Sequence, residues 1–345
     1  MSTPEHAVAS PPMLELRGVS KRFEKRLDLA GRIARALGSP LRDETVHAVD
    51  KVDLKLHAGE VVGLVGESGC GKSTLARVVA GLHAPSAGEV LWEGRRLQDL
   101  DTAARQAARL QVQMIFQDPF ASLNPRLRVL DLVGEAPVVH GLVPAAQRRE
   151  WVGEQLRLVG LDPALADRFP HQFSGGQRAR VGIARALAVK PRFLICDEAV
   201  AALDVSIQAQ VLNLFMELRQ TLALTYLFIS HDLGVVRHLC DRVVIMYLGR
   251  VVETAPAVEF FERPRHPYAQ ALLAEVPRLE ARRKDFVAIT GEIPSPLDPP
   301  SGCHFHPRCP HASARCRQEV PLLREVEPGR WLACHLSDEA PQRGP

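Results

Sequence analysis

One short stretch, Gly66-Glu67-Ser68-Gly69-Cys70-Gly71-Lys72-Ser73-Thr74, constrains this chain more than any other. It follows the apolar run Val61–Val65 and leads into a helical pattern that starts at Lys72, so a strand hands over to a helix through a glycine-rich turn. The spacing is G-x-x-x-x-G-K-[ST], a loop whose backbone N–H groups can turn inward around phosphate oxygens. The helix N-terminus adds positive potential, Lys72 can meet β and γ oxygens, and the Ser73 hydroxyl can hold Mg²⁺. The glycines lack the G-x-G-x-x-G spacing of a dinucleotide fingerprint. The stretch therefore calls for an α/β fold and for triphosphate chemistry.

The rest of the chain agrees with such a fold. Residues 14–280 alternate β-rich runs with helical patterns, as around a largely parallel sheet. Strands are expected at Val61–Val65, Val112–Phe116, Phe193–Cys196, Tyr226–Ile229 and Val243–Tyr247, and helices after Lys72, over Gln147–Leu158, over Gln177–Ala188 and from Ser206 to Arg219. Residues 118–182 break the alternation with charged, helical sequence and are read as a helical subdomain. With 345 residues, at roughly 150 per domain, about two domains are expected. We place them at 13–262 and 263–345, the second being small, irregular and rich in Cys, Pro and His. Between the first strands, Lys25–Thr45 carries Leu27, Leu29, Ile33 and Leu37 among arginines, which reads as a short amphipathic helix, either a solvated insertion or a docking element.

Composition excludes more than it names. Forty-three Lys and Arg against 40 Asp and Glu leave no electrostatic footprint for nucleic acid. Apolar runs have strand length, well short of the roughly 20 residues of a membrane-spanning helix. The N-terminus lacks the basic segment and apolar core of a signal peptide, so a cytoplasmic chain is expected.

Triphosphate hydrolysis also needs carboxylates, and Arg192-Phe193-Leu194-Ile195-Cys196-Asp197-Glu198 delivers two at a strand's C-terminal end, where α/β sheets bind ligands. Asp197 is then the Mg²⁺ partner and Glu198 the base that polarises water for in-line attack.

Between loop and acidic strand stands Phe173-Ser174-Gly175-Gly176-Gln177-Arg178, which resembles the signature sequence of ABC-type ATPases. Other elements fall in that family's order. Gln117 in Phe116-Gln117-Asp118-Pro119 is similar to the Q-loop, Ala202-Leu203-Asp204 to the D-loop, His231 in Ile229-Ser230-His231-Asp232-Leu233 to the switch histidine, and Phe23 to the aromatic on which adenine stacks. The resemblance implies a P-loop NTPase, an ABC-type nucleotide-binding domain with a helical subdomain. It implies that ATP and Mg²⁺ bind at Gly66–Thr74, Phe23, Gln117, Asp197 and Asp204, that Lys72, Gln117, Glu198 and His231 serve catalysis, and that Ser174, Gly175, Gly176 and Gln177 complete a partner subunit's site. Ala201 and Ala179 depart from the family's usual serine and glutamine, which touches the dimer interface and not the catalytic groups.

Closer wording narrows the resemblance. Phe116–Pro125, Asp204–Leu214 and Met246–Arg250 are similar to the ATPase subunits of oligopeptide and dipeptide importers, most to the second of two paired ATPases. His266-Pro267-Tyr268, Gly291–Pro296 and Pro299–Cys303 are similar to their C-terminal extension. This implies a peripheral subunit on the cytoplasmic face of the cell membrane, paired with a sister ATPase, docked on two permeases and served by a periplasmic or extracellular substrate-binding protein. A soluble ABC ATPase driving assembly or a nucleic-acid process, and an importer of nickel or another small solute, are the alternatives.

Cys303, Cys309, Cys316 and Cys334 form a cluster of their own, C-x₅-C-x₆-C-x₁₇-C. The spacing identifies no metal. A [4Fe–4S] cluster, which the resemblance favours, a zinc ion, and reduced thiols all stay open. A metal would supply folding energy to a tail with few apolar residues. Cys70, Cys196 and Cys240 read as small buried or loop residues.

Overall fold

The computed structural model describes residues 11–25, 43–118, 121–275 and 291–339. It opens with two long antiparallel strands, β1 (Leu14–Lys25) and β2 (Glu44–Leu56). The expected amphipathic helix between them falls largely on 26–42, outside the described residues. β3 (Val61–Val65), the phosphate loop and helix α1 (Lys72–Val79) follow, then β4 (Ala87–Trp92) and the two-residue β5 (Arg95–Arg96). Strands β2-β1-β4-β5 make a separate antiparallel sheet. The sequence places strands on either side of 25–45 but gives neither their bounds nor a separate sheet, and the register explains why. Irregularities between Leu16 and Val19, Val19 and Lys21, and Lys21 and Arg22 interrupt the period-2 alternation that marks a half-buried strand.

Next come α2 (Thr102–Gln111), β6 (Val112–Ile115), then α3 (Val129–Val139), α4 (Arg148–Leu158) and α5 (Gly175–Leu187). After them run β7 (Phe193–Asp197), α6 (Val205–Leu222), β8 (Thr225–Ile229), α7 (Leu233–Leu239), β9 (Arg242–Tyr247) and β10 (Arg250–Pro256). The expected strands and helices appear within a residue or a few of their expected bounds. Strands β9-β3-β8-β7-β6 pair in parallel. Their near-continuous apolar runs suit strands covered on both faces. Val62, Leu64, Ile195 and Leu227 face the antiparallel sheet and α1, packing with Leu16, Leu54 and Leu75. Val61, Leu194, Cys196 and Phe228 face the helices, packing with Val133, Ile183 and Phe215. No helix among the described residues is long and apolar enough to cross a membrane.

The C-terminal part holds α8 (Ala257–Glu262), α9 (Pro267–Ala274), α10 (Ala314–Gln318), β11 (Arg324–Glu327), β12 (Arg330–Leu332) and α11 (Leu336–Glu339). The large sheet runs β11-β12-β10-β9-β3-β8-β7-β6, so the tail adds its own antiparallel hairpin to the edge. Two strands of four and three residues are too short to show periodicity in sequence. Tyr268 and Phe305 lie in the same buried cluster as Val61 and Phe228.

Candidate ATP site and the extension beside it

The phosphate loop leaves β3 and closes on neighbouring backbone. A Cβ at Gly71 would lie 2.0 Å from the Ala48 carbonyl of β2, and the residue's φ is +105°, a conformation that favours glycine. A Cβ at Gly66 would lie 2.2 Å from the Met246 carbonyl of β9. Gly69 is also left-handed, and Ser68 and Gly69 are exposed at the tip, while Cys70 is buried. Lys72 is buried, and its Nζ donates to the carbonyls of Gly66 (2.6 Å) and Glu67 (2.9 Å), with the Cys70 Sγ at 3.8 Å. The ammonium is thus held inside the loop, within its arc. Ser73 and Thr74 lie half-buried in the first turn of α1.

Strand β7 ends against the helix that starts from this loop. The Ser73 Oγ donates to the Asp197 Oδ1 at 3.0 Å, joining residues 124 positions apart. Burial raises the Asp197 carboxyl above its ordinary value; the Ser73 hydrogen bond opposes this and the nearby Glu198 charge adds to it. A hydroxyl and a carboxylate facing each other are hard oxygen donors of the kind that hold Mg²⁺ together with substrate phosphates. The donor set fits that ion.

Glu198 turns away from the strand with φ +49°, and its N–H donates to the Ile229 carbonyl at 3.0 Å. Its carboxylate meets the two other expected groups. Gln117 Nε2 donates to one oxygen at 2.6 Å, and His231 Nδ1 lies 3.4 Å from the other. The side chain of Glu198 is 14% exposed and that of His231 58%. Gln117 contacts Glu198 and not the Ser73–Asp197 pair, so its expected role as a metal ligand is not reproduced in this geometry.

Ser174 caps α5: its Oγ accepts from the Gln177 N–H, and the Gln177 side chain accepts from the Ser174 N–H. Gly175 and Gly176 open the helix against Leu203 and Ile207, which flank Asp204, the exposed N-cap of α6. The Ser174–Gln177 turn spends these bonds on itself and leaves Ser174 exposed. Phe23 lies within β1, paired with Val46; it is 38% exposed, edge-on to His83, with Lys21 Nζ 5.1 Å from its centroid. Ala201 donates its N–H to the Glu198 carbonyl, and Ala179 is buried in α5.

The four cysteines of the tail correct an expectation. Among the described residues, no group of three or more His, Cys, Asp and Glu side chains is placed to hold a metal ion, so neither zinc nor a [4Fe–4S] cluster gains support from the donor geometry. Burial raises the thiols of Cys303 and Cys309, and that of Cys334 to about 11 with its three neighbours adding to the shift. Burial of this kind favours neutral thiols, and Cys316 shares a contact with the Ser313 hydroxyl at 3.4 Å. Ion pairs hold the extension. Arg330 and Glu253, both with fully buried side chains, meet at 2.9 Å, and the same carboxylate accepts the backbone N–H groups of Arg265 and His266. A second pair joins Arg308 to Glu67 in the phosphate loop. Glu253, Arg330 and Arg308 carry no local motif, and Tyr268 stands in the His266-Pro267-Tyr268 stretch with nothing there to name its partner; the contacts span 77 to 241 residues, so sequence reading had no signal for the pairings.

A phosphate loop, a hydroxyl–carboxylate pair beside it, and a Gln–Glu–His cluster at the next strand end define an ATP-hydrolysing cassette. The comparisons with known proteins agree. The ABC transporter family profile matches residues 49–201, and that of the oligopeptide/dipeptide transporter C-terminal region matches residues 252–316. The chain is 48% identical over 328 residues to the oligopeptide transport ATP-binding protein AppF of Bacillus subtilis, covering 94% of this chain and 97% of that one. It is 51% identical over 292 residues to a probable peptide ABC transporter ATP-binding protein, y4tS, of Sinorhizobium fredii, covering 84% and 83%. Among solved structures, the dimeric ATP-binding cassette MJ0796 bound to ADP and Pi matches with a TM-score of 0.59 and 29% identity, over 71% of this chain and 99% of that one. The chain belongs to the ABC transporter ATP-binding proteins, in the group that carries the oligopeptide/dipeptide transporter C-terminal region.

Proposed function

We propose that this chain is the ATP-hydrolysing subunit of an importer for di- or oligopeptides, acting at the cytoplasmic face of the cell membrane. The observation that carries the reading is the convergence of Gln117 and His231 on Glu198 beside the Ser73–Asp197 pair. Lys72 and the loop N–H groups bind the β- and γ-phosphates, and Phe23 offers its face to the base. Ser73 and Asp197 would hold Mg²⁺, which would supply charge neutralisation at the phosphate oxygens. Glu198 accepts a hydrogen bond from the attacking water and takes its proton. Gln117 fixes one carboxylate oxygen, and His231 stands ready to meet the γ-phosphate.

Ser174 with the first turn of α5 forms a second anion site. We assign it to the nucleotide of a sister ATPase, because the capped turn is exposed and its solved neighbour MJ0796 is described as a dimer. Two permeases and a substrate-binding protein complete the importer. Affinity purification of the tagged chain from detergent-solubilised membranes tests the assembly. Recovery of two multi-span permeases and a second ATPase supports it; recovery of soluble partners alone overturns it.

A further inference from the structure

We propose that the C-terminal extension positions the phosphate loop, with Arg308 and Tyr268 acting through Glu67 to set ATP affinity. The inference rests on the reading of Gly66–Thr74 as the ATP site. Glu67 is gripped at each of its polar groups. Its carboxylate accepts two bonds from the Arg308 guanidinium, at 2.7 and 2.9 Å. Its N–H donates to the Tyr268 hydroxyl at 2.8 Å, and its carbonyl accepts from Lys72 Nζ at 2.9 Å. One loop residue thus ties the extension to the lysine that meets the phosphates. The Arg308 side chain is 4% exposed and that of Glu67 20%, so this is a bidentate, partly buried pair.

The surrounding contacts make this grip part of a collar. His304 Nδ1 lies 3.0 Å from the Leu248 carbonyl, and the next residue, Gly249, donates its N–H to the Cys70 carbonyl in the loop. The Pro296 carbonyl accepts from the His47 N–H on β2, next to the Ala48 carbonyl that abuts Gly71. The extension therefore touches the loop directly and both walls that shape it.

Two physical effects follow. A loop already held in its phosphate-binding shape spends less free energy on ordering when ATP arrives. Arg308 also neutralises a carboxylate that would otherwise stand unpaired in a loop built for a triphosphate, where like charge repels. The second effect makes Arg308 a positioning residue with a distinctive test. Loss of the cation should be mended by loss of the anion.

Binding of a fluorescent ATP analogue to the full chain, with ATP turnover by the assembled complex, reads this out. Arg308→Met is expected to weaken binding about tenfold while maximal turnover stays within about twofold. Adding Glu67→Gln to Arg308→Met is expected to restore the part of the affinity lost to the unpaired carboxylate while the freed loop keeps the rest of the loss, a recovery that a misfolding effect of Arg308→Met would not allow. Tyr268→Phe removes only the hydroxyl, keeps the buried ring, and should weaken binding roughly two- to fivefold even where Arg308→Met misfolds. Unchanged affinity in Arg308→Met, no recovery in the double variant, or unchanged affinity in Tyr268→Phe would each overturn the proposal. Lys72→Ala separates the two readings: if it leaves ATP binding intact, the assignment of the site itself fails; if it abolishes binding while the Arg308 and Tyr268 variants behave as the parent, only the inference about the extension fails.

Discussion

On one side of Glu67 lies the parallel core, where β3, β7 and β8 end side by side and deliver the loop, Asp197 with Glu198, and His231 from neighbouring strand ends. On the other lies the extension, which owes its place to a few buried charged and aromatic contacts with partners far away in sequence. The core places chemistry by repetition, because every parallel strand brings its C-terminal end to the same edge. The extension has no such rule and depends on single residues. Damage should therefore spread differently: a change in the core should stop one chemical step, and a change in the extension should loosen a whole segment.

The largest expected effect probes the core. Glu198→Gln should bind ATP as the parent does and lose turnover by a factor on the order of 10²–10⁴, the usual worth of a positioned general base. Steady-state hydrolysis of the assembled complex checks it, and parental turnover would remove Glu198 from its role.

The extension is probed next. Arg330→Met strands the fully buried Glu253 carboxylate and should cost about 3–5 kcal/mol. With Trp92 and Trp151 replaced by Phe, the fluorescence of Trp331 on β12 reports the extension alone. We expect its urea transition to separate from, and precede, that of the core. A single transition shared by both would show that the two regions are one cooperative unit and would break the comparison.

Acid should loosen the same region. Burial lowers His266 from 6.5 to about 3, and burial together with Arg250 lowers His304 to about 4. Both are held neutral in the folded chain, so the unfolded chain takes up their protons first. Their stabilisation is complete above about pH 6.5 and is lost progressively as pH falls toward the folded values. For His266 the loss between pH 7 and pH 5 is about 2 kcal/mol. A Trp331 transition that does not move over that interval would contradict the neutral, buried state of His266.

The smallest effect sharpens the view of α5. Ser174→Ala removes the N-cap acceptor and should cost about 1 kcal/mol of stability in the isolated chain. Its effect on turnover by the assembled complex should be far larger if Ser174 also contacts a partner's nucleotide. Equal, small losses in both would confine Ser174 to capping.

These regions also differ in how far they could be read from sequence. The phosphate loop, the acidic strand end and Ser174 with Gln177 are local patterns, each written in adjacent residues whose spacing fixes their geometry. Gln117 and His231 could be named only through resemblance, since nothing near either residue says that both will meet Glu198. The antiparallel sheet escaped because the irregular register of β1 blurs its alternation. Arg308 looks like any arginine in a polar tail until folding carries it across 241 positions to Glu67. For Cys303, Cys309, Cys316 and Cys334 the spacing leaves a cluster, a zinc ion and reduced thiols open; folding brings the four thiols into electrostatic reach of one another, yet among the described residues no donor group is placed to hold a metal.

The Glu253–Arg330 pair has a consequence for the chain while it is being made. Glu253 emerges from the ribosome 77 residues before Arg330 does. At roughly 5–20 residues per second, the carboxylate waits about 4–15 s for its cation. During that interval β10 can pair with β9 but not with β12, leaving an open sheet edge above an unneutralised charge. The nascent protein can therefore assemble its parallel sheet well before its last strand arrives, and a chain cut short before Arg330 would keep that open edge.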